Sequence, residues 1–268
     1  MKILILGDVM GLAGRKAIKK NLSKIINDNE INFTIINGEN AADDGRGITK
    51  SIAEEFFLQG VDVITSGNHI WDKQETTDYI NKEDRLLRPA NLVEGSPGSG
   101  YGIYSTKNKK FKVGVINLMG NVFMRKTEDV FQTAKKIRDK IILKQNVDFI
   151  LVDFHGEITS EKMAIGHFFD GLSTGVVGTH THVPTADTRI LEKGTAYQTD
   201  IGMCGDYNSV IGMNKDNSLK RFFKSKDATE HFPAEGDATL SGIIIEADHK
   251  TGLAKKITRL IEGGSLIK

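Results

Sequence analysis

The sequence predicts an α/β layer fold, and two observations support this prediction. Short β-type apolar runs alternate with stretches whose apolar residues recur with a period near 3.6, mainly in the first two thirds of the chain. In addition, several of the apolar runs end in a glycine beside an acidic, amide or imidazole side chain. Both features are typical of sheets that are covered by helices and carry a binding site at one edge.

The domain organisation follows from the length and the absence of breaks. A chain of 268 residues is long enough for one large domain or two small ones. It contains no internal repeat, no low-complexity tract and no linker-like stretch, and only four prolines. We therefore expect a single domain over residues 1–268.

The first half contains three apolar runs that predict strands, at residues 3–6, 33–36 and 61–65. Between the first two runs, Ile18, Leu22 and Ile25 form a helical stripe. Ser51 and Glu54 have capping-box spacing, which predicts a second helix that Gly60 can close.

The second half contains two predicted hairpins, at residues 101–105 with 111–117 and at residues 242–246 with 256–261. A long helix is expected from Asp129 to Lys144, and two further strands at residues 149–153 and 174–177. The last third of the chain is more β-like than the rest.

Polar side chains follow five of the predicted strands, each where the strand ends. Because the carboxyl ends of neighbouring strands meet at one edge of an α/β sheet, these side chains should converge. They are Asp8, Glu39, Asn40, Asn68, His69, His155, His180 and His182.

Carboxylates and imidazoles without thiolates are ligands for Mn, Fe, Zn or Ni rather than for a structural zinc cluster. The number of side chains exceeds the needs of one tetrahedral site. It fits two cations roughly 3.5–4 Å apart, bridged by one carboxylate and a water or hydroxide. The sequence therefore predicts a dinuclear metal site suited to phosphoester chemistry.

The wording of these motifs resembles one family. Gly7-Asp8, Gly38-Glu39-Asn40, Gly67-Asn68-His69, His155 and Gly178-Thr-His-Thr-His182 resemble the ordered motifs of the calcineurin-like metallophosphoesterases. Ile-Asn-Gly-Glu-Asn-Ala-Ala, Gly-Asn-His-Ile-Trp-Asp and Val-Gly-Thr-His-Thr-His-Val-Pro-Thr-Ala-Asp are similar to the YmdB-type branch. The resemblance implies a four-layer α/β/β/α sandwich of two mixed sheets packed face to face.

The resemblance also implies a role for each predicted site residue. Met10 stands where the wider superfamily has a histidine, and Glu39 stands where it has an aspartate; in the YmdB-type branch the adjacent asparagine supplies the missing ligand. The implied first cation site is Asp8, Glu39, Asn40 and His182, and the second is Glu39 as bridge, Asn68, His155 and His180. His69 would stay off the metals and, as general acid, protonate the leaving alkoxide, a role that suits an imidazole not bound to a metal.

The implied activity is hydrolysis of a phosphodiester by metal-bound hydroxide. The expected substrates are 2′,3′-cyclic nucleotides, with 3′,5′-cyclic nucleotides as a second class and a link to RNA through 2′,3′-cyclic phosphate ends. The expected metals are two transition-metal ions, Fe or Mn, with Zn or Mg as alternatives. At the site mouth we expect residues 121–125, with Phe123 stacking on a base and Arg125 meeting a phosphate, because this segment follows a strand end.

Each site residue also has a simpler reading. Asp8 could cap the next helix, Asn40 and Asn68 could be turn residues with positive φ, and His155 could be a hydrogen-bonded core histidine. Asp72 could be a helix cap or lie behind the ligands, and Glu157 could orient His155 or be solvated. His180 and His182 are harder to explain otherwise, since residues i and i+2 of an extended segment point the same way.

Other functional classes are disfavoured. No Gly-rich loop ending in Lys-Ser/Thr, no G-x-S-x-G elbow and no G-x-G-x-x-G after the first strand is present. The remaining alternative is a non-catalytic metal-containing nucleotide sensor or regulatory binding protein. His69 argues against that alternative, because a pure binder needs no general acid.

Charge and cysteine content suggest the setting. A net charge of +1 provides no global attraction for nucleic acid or an anionic membrane, so phosphate recognition must be local. The basic run of Lys220, Arg221, Lys224 and Lys226 is interpreted first as a solvated turn. A single cysteine, Cys204, and the lack of a long apolar segment predict a cytoplasmic protein without membrane contact. The family resemblance implies a homo-oligomer, a dimer or tetramer.

Overall fold

The computed structural model describes residues 1–267. Within them the strands are β1 (Lys2–Val9), β2 (Phe33–Asn37), β3 (Val63–Thr65), β4 (Tyr101–Ser105), β5 (Lys112–Met119), β6 (Phe149–His155), β7 (Gly175–Thr179), β8 (Arg189–Ile190), β9 (Ala196–Gln198), β10 (Met203–Asp206), β11 (Ala238–Ala247) and β12 (Ala254–Glu262). The helices are α1 (Gly11–Asp28), α2 (Lys50–Leu58), α3 (Gln74–Tyr79), α4 (Val130–Arg138), α5 (Thr159–Phe168) and α6 (Lys215–Phe222).

The strands form two mixed six-stranded sheets. The first sheet has the order β12-β11-β10-β1-β2-β3, and the second has the order β4-β5-β6-β7-β9-β8. In the first sheet β1, β2, β3 and β10 are parallel, and β11 pairs antiparallel with β1, β10 and β12. In the second, β5, β6, β7 and β9 are parallel, and the edge strands β4 and β8 are antiparallel.

The alternation of side chains along each strand builds three apolar layers. On β1, Ile3 and Ile5 point into a core shared with the second sheet, where Phe149 and Leu151 of β6 meet them. The intervening side chains of β1 pack on α1 and α2, and those of β6 pack on α4 and α5. Helices therefore cover the outer face of each sheet, and the predicted four-layer α/β/β/α sandwich is confirmed.

Most predicted strands exist, with shifted ends. The run at 61–65 is a strand only over Val63–Thr65, and both predicted hairpins form as antiparallel pairs. Three short strands, β8, β9 and β10, were not predicted from the sequence. The single domain over residues 1–268 stays a prediction.

The helix predictions need more correction. Helix α2 is capped by Thr49, whose side chain accepts a hydrogen bond from the Ile52 amide, and not by Ser51. The helix predicted over residues 129–144 ends at Arg138. It stops there because the Asn146 side chain binds the Lys140 carbonyl and the Ile142 amide, competing with the helical bonds.

The remaining helices, α3, α5 and α6, carry no strong apolar stripe and were missed. The basic run at 220–226 begins inside α6 and is not simply a turn. None of the helices in the described part of the chain is both long and apolar enough to span a membrane.

Candidate metal centre

The structure brings all seven predicted metal ligands together at the carboxyl ends of the parallel strands. The first sheet contributes Asp8 from β1, Glu39 and Asn40 after β2, and Asn68 after β3. The second sheet contributes His155 at the end of β6 and His180 and His182 after β7. We call these seven side chains the ligand cluster.

A register shift orients Asp8. Strand β1 pairs with β2 in step up to Leu6, opposite Ile36, but Asp8 then lies opposite Asn37. Without this one-residue shift, simple alternation would send Asp8 to the helix side with Leu4 and Leu6. The shift instead puts the Asp8 carboxylate between the sheets, fully buried.

Three potential ligand atoms surround Nε2 of His155. Glu39 Oε1 lies 3.0 Å from it, Asn68 Oδ1 3.2 Å, and His180 Nδ1 3.0 Å. Gly67 permits this approach, because a Cβ there would lie 2.1 Å from Glu39 Oε2. Glu39, His155 and His180 together have the geometry of a metal-binding group.

The other half of the cluster is built around Asp8. Its Oδ1 lies 3.6 Å from His155 Nδ1 and 4.0 Å from His182 Nε2. His182 Nε2 is also 3.2 Å from Asn40 Oδ1. Asp8 therefore stands between the His155–His180 side of the cluster and the His182–Asn40 side.

The hydrogen bonds around His155 fix its tautomer. Its Nδ1 is 2.9 Å from Thr179 Oγ1, and that hydroxyl donates its own proton to Asp153 at 2.7 Å. Thr179 must therefore accept from Nδ1–H of His155, which leaves the Nε2 lone pair facing the cluster. Asp153 was missed from the sequence; the available signal was its position two residues before His155 on the same strand face.

In His180 and His182, as in His155, a contact at one ring nitrogen leaves the other nitrogen facing the cluster. His180 Nε2 contacts Glu157 at 3.1 Å, and His182 Nδ1 donates to the Ile211 carbonyl at 2.7 Å. In each ring the opposite nitrogen is left to face the cluster. Glu157 thus contacts His180 and not His155, which corrects one of the two sequence interpretations.

The segment that carries these two histidines is not extended, in contrast to the expectation. His180 has φ of 99° and His182 has φ of 65°, which is left-handed backbone that non-glycine residues rarely adopt. The turn sends the two rings to opposite sides of Asp8. Such strain persists only where the surroundings hold it, as at functional sites.

Burial and charge shape the protonation of the cluster. Burial raises the pKa of Asp8 to about 6, although His182 and His155 act in the opposite direction. Burial and the neighbouring His155 charge lower the pKa of His180 to about 3, so this ring is neutral at pH 7. For His155, burial acts downward, but the charge and hydrogen bond of Glu39 outweigh it and raise the pKa. The acidic side chains of the cluster therefore favour a positive charge close to His155 Nε2.

The residues fit a transition-metal site by two observations. Asp8 Oδ1 is buried and has no hydrogen-bond partner within residues 1–267. Ligand atoms bonded to one ion at about 2.1 Å and at right angles lie roughly 3 Å apart, which matches the spacing around His155 Nε2. Neutral imidazoles, carboxylates and amide oxygens are the donors that such an ion accepts.

His69 lies beside the cluster but is held by other partners. Its Nδ1 is 2.7 Å from Asp72 Oδ2, and its backbone amide donates to Glu39 Oε2 at 3.2 Å. Arg125 reaches the other oxygen of Asp72 at 3.3 Å. Asp72 is therefore a partner of both the His69 ring and Arg125. The side chain of Phe123 is largely exposed.

A buried ion pair supports the turn that carries the histidines, and no sequence pattern indicated it. Lys162 of α5 donates to Asp200 Oδ2 at 2.6 Å and to the Thr179 carbonyl at 2.9 Å. The same Asp200 oxygen accepts from the amide and hydroxyl of Thr181. Asp200 therefore holds the backbone between His180 and His182.

Two of the simpler readings are wrong. The residue that precedes α1 is Met10, and this helix has no side-chain cap, so Asp8 does not cap it. Asn40 and Asn68 are not among the residues with positive φ, so neither is a left-handed turn residue.

Comparisons with known proteins identify the family of this chain. A family model described as "YmdB-like protein" matches residues 4–260. The 2′,3′-cyclic-nucleotide 2′-phosphodiesterase of Bacillus subtilis (strain 168) is 45% identical over 263 residues, which is 97% of each chain. Two solved structures superpose closely: a hypothetical protein from Thermus thermophilus, with 34% identity and a TM-score of 0.89 over 98% of this chain and 100% of that one, and a phosphatase from Mycoplasma pneumoniae, with 36% identity and a TM-score of 0.88 over 99% and 95%.

Proposed function

Because this chain belongs to the YmdB-like protein family, we propose that it is a metal-dependent phosphodiesterase that hydrolyses 2′,3′-cyclic nucleotides. The observation that carries the proposal is the ligand cluster with the His69–Asp72 pair beside it. The name of the Bacillus subtilis relative supports the substrate class. Hydrolysis of 3′,5′-cyclic nucleotides is a weaker second activity.

Asp8, Glu39, Asn40 and His182 would hold the first cation, and Glu39, Asn68, His155 and His180 the second. Cations bound there supply Lewis acidity and activate the attacking water. The contacts to Thr179, Glu157 and Ile211 keep one nitrogen lone pair of each of the three histidine ligands directed at the cluster. Fe and Mn are the metals that we favour for this donor set, before Zn and Mg.

The His69 ring protonates the leaving oxygen. Water adds its oxygen to phosphorus, the bond from phosphorus to O2′ breaks, and O2′ receives a proton from His69 Nε2. Asp72 accepts from Nδ1 and so fixes which nitrogen is available. The proton of the attacking water then restores His69, so that one water is consumed for each ester cleaved.

The mouth of the site is formed in part by residues 121–125. Arg125, 55% exposed at its side chain and bound to Asp72, can meet a substrate phosphate or keep Asp72 in place. Stacking of Phe123 on a base is a prediction that rests on its exposure and position. The cytoplasmic location and the homo-oligomer also stay predictions.

The test is the metal content of the purified protein, measured together with hydrolysis of adenosine 2′,3′-cyclic phosphate. We expect two metals per chain and turnover. The His69→Ala variant should keep both metals and lose turnover by about 10²–10⁴-fold, most severely for substrates with poor leaving groups. The matched control is His249→Ala, which removes an exposed imidazole outside the cluster and should leave both quantities unchanged.

Two outcomes would contradict the proposal. Loss of both metals from His69→Ala would show that His69 is a ligand or a structural group and not the general acid. Two metals without turnover of any cyclic phosphodiester would favour the alternative of a nucleotide sensor.

A further inference from the structure

A polar cavity that contains no member of the ligand cluster is lined in part by the loop that follows Asn40. It measures about 240 Å³ and is lined by Asp44, Arg46, Arg221, Glu230 and His231. We call it the Arg46 pocket. Its walls come from two places: the loop that follows Asn40, and the segment around the end of α6.

The Arg46 pocket has a small excess of positive charge. Within residues 1–267 the Arg46 guanidinium has no hydrogen bond or ion pair, and the residue bonds only through its backbone amide, to Asp44. Arg221 donates through Nη1 to the Thr229 carbonyl at 2.8 Å, which leaves its charge unpaired. Of the two acids, Asp44 is paired with Lys73 at 2.7 Å, whereas Glu230 is exposed, as both arginines are. With the Asp44–Lys73 pair set aside, the lining therefore has two positive charges and one negative charge.

His231 lines the same pocket as the two arginines. Its Nδ1 is buried and has no hydrogen-bond partner in the described chain. Burial, then the charges of Arg221 and Arg46, lower the pKa of this imidazole. Two guanidinium groups in one pocket, as here, can bind a phosphate together.

The wall that carries Arg46 is attached to the first cation site. The Asn40 side-chain amide donates to the carbonyl of Gly45 at 2.9 Å, and Gly45 is the residue before Arg46. Asn40 Oδ1 faces His182 at the same time. The residue that precedes Arg46 in the chain is therefore hydrogen-bonded to Asn40, a predicted metal ligand.

The opposite wall is attached to the same site through His182. Its Nδ1 donates to the Ile211 carbonyl, and Met213, two residues later, pairs with Pro233. Pro233 packs against the Gly45 loop, and His231 lies two residues before it. Both walls are thus connected, through the Gly45 carbonyl and the Ile211 carbonyl, to Asn40 and His182, which lie on the same side of the ligand cluster.

We propose that the Arg46 pocket binds a second phosphate group of the substrate, on the 5′ side of the nucleotide whose cyclic phosphate lies at the ligand cluster. This inference rests on the proposed function and deepens it. The 5′ phosphate could belong to a mononucleotide or could be the next phosphodiester of an RNA chain. In both cases the same 5′ oxygen carries it, so the recognition chemistry is shared.

The experiment compares three substrates with the metal-loaded protein. They are adenosine 2′,3′-cyclic phosphate, its 5′-phosphorylated form, and the dinucleotide ApA with a 2′,3′-cyclic end. We expect KM to be about tenfold lower for the substrates with a second phosphate, as one well-placed charged contact would give. If both two-phosphate substrates are preferred, the pocket recognises the phosphate group itself. If the dinucleotide alone is preferred, the pocket recognises the end of an RNA chain.

The variants are Arg46→Gln and Arg221→Gln, with Lys226→Gln as control. Lys226 lies on the same basic segment but does not line the pocket, so the control removes equal charge. Each arginine variant should raise KM about tenfold for two-phosphate substrates and by less than about twofold for adenosine 2′,3′-cyclic phosphate, with metal content unchanged. An equal effect on all substrates, an equal effect of Lys226→Gln, or no preference in the unaltered protein would overturn the inference.

Failure of the proposed function would be visible separately, as absence of turnover of every substrate by the unaltered protein. In that case binding of fluorescently labelled, 5′-phosphorylated ApA decides the role of the pocket. Weakening of at least about fivefold in Arg46→Gln but not in Lys226→Gln supports the phosphate site, and equal binding overturns it.

Discussion

The buried pair of Lys162 and Asp200 is the residue-scale feature with the largest expected effect outside the ligand cluster. Both side chains are 1% exposed, and together they bind the backbone of Thr179 and Thr181. A buried pair of this kind contributes little relative to apolar residues, but removal of one partner leaves a buried charge unpaired. The turn with left-handed backbone at His180 and His182 depends on this support.

Lys162→Met should lower the free energy of unfolding by about 3–5 kcal/mol, because Asp200 is then buried without a counter-charge. We expect the double variant Lys162→Met, Asp200→Asn to recover part of this loss, since it removes both charges. Denaturant unfolding of the single and double variants measures the coupling. Simply additive losses would show that the two side chains do not act as a pair.

At the scale of elements, the loop between β2 and α2 carries two members of the ligand cluster and also the residue that caps α2. Glu39 and Asn40 follow β2 directly, and the chain then reaches Thr49, which caps α2. The Thr49 hydroxyl accepts from the Ile52 amide at 3.3 Å, whereas Ser51 lies within the first turn and its side chain bonds only to Thr49. The helix start is thus two residues earlier than the capping-box pattern indicates.

Thr49→Ala should destabilise the protein by about 1 kcal/mol, because the Ile52 amide loses its acceptor. Ser51→Ala is the matched control and should change stability by less than roughly 0.5 kcal/mol. Thermal or chemical unfolding of both variants distinguishes the two positions. A larger loss for Ser51→Ala would restore the capping box that the sequence suggested.

At the scale of the whole molecule, the ligand cluster joins the two sheets at one edge. The first sheet supplies Asp8 and Glu39, and the second supplies His155 and His180. Behind the cluster, Asp153 of β6 accepts from Asn37 of β2 at 3.0 Å, so a polar network also crosses the apolar core. A ligand that binds to the cluster therefore contacts residues of both sheets and stabilises their packing against each other.

Removal of metal with a chelator should lower the melting temperature. A cation present at about 100 times its dissociation constant stabilises the folded chain by about 2.7 kcal/mol, which corresponds to roughly 5–10 °C for a domain of this size. Calorimetry of metal-loaded and chelated protein measures the shift, and re-addition of Mn²⁺ should reverse it. An unchanged melting temperature would show that the cluster does not bind metal in the folded protein.

Much of the fold could be predicted because its signals are local. The strands β1, β2 and β6 are apolar runs, and a glycine and a polar residue mark several of the strand ends, so pattern alone indicated an α/β fold. The helices α3, α5 and α6 could not be predicted from apolar periodicity, because α3 has only six residues, the buried face of α5 includes Lys162, and the buried residues of α6 are Asn217 and Ser218. The end of α4 depends on Asn146, eight residues beyond the helix, and this contact has no local signature.

The sequence by itself determined the chemistry of this protein: which donors are present, in what order, and at which strand ends they stand. Only the tertiary structure decided how those donors are used. The register shift that turns Asp8 inward, the Thr179–Asp153 contact that fixes the His155 tautomer, and the Arg46 pocket all depend on residues far apart in the chain. Residue type and periodicity are local properties, whereas these contacts form only when two sheets pack face to face.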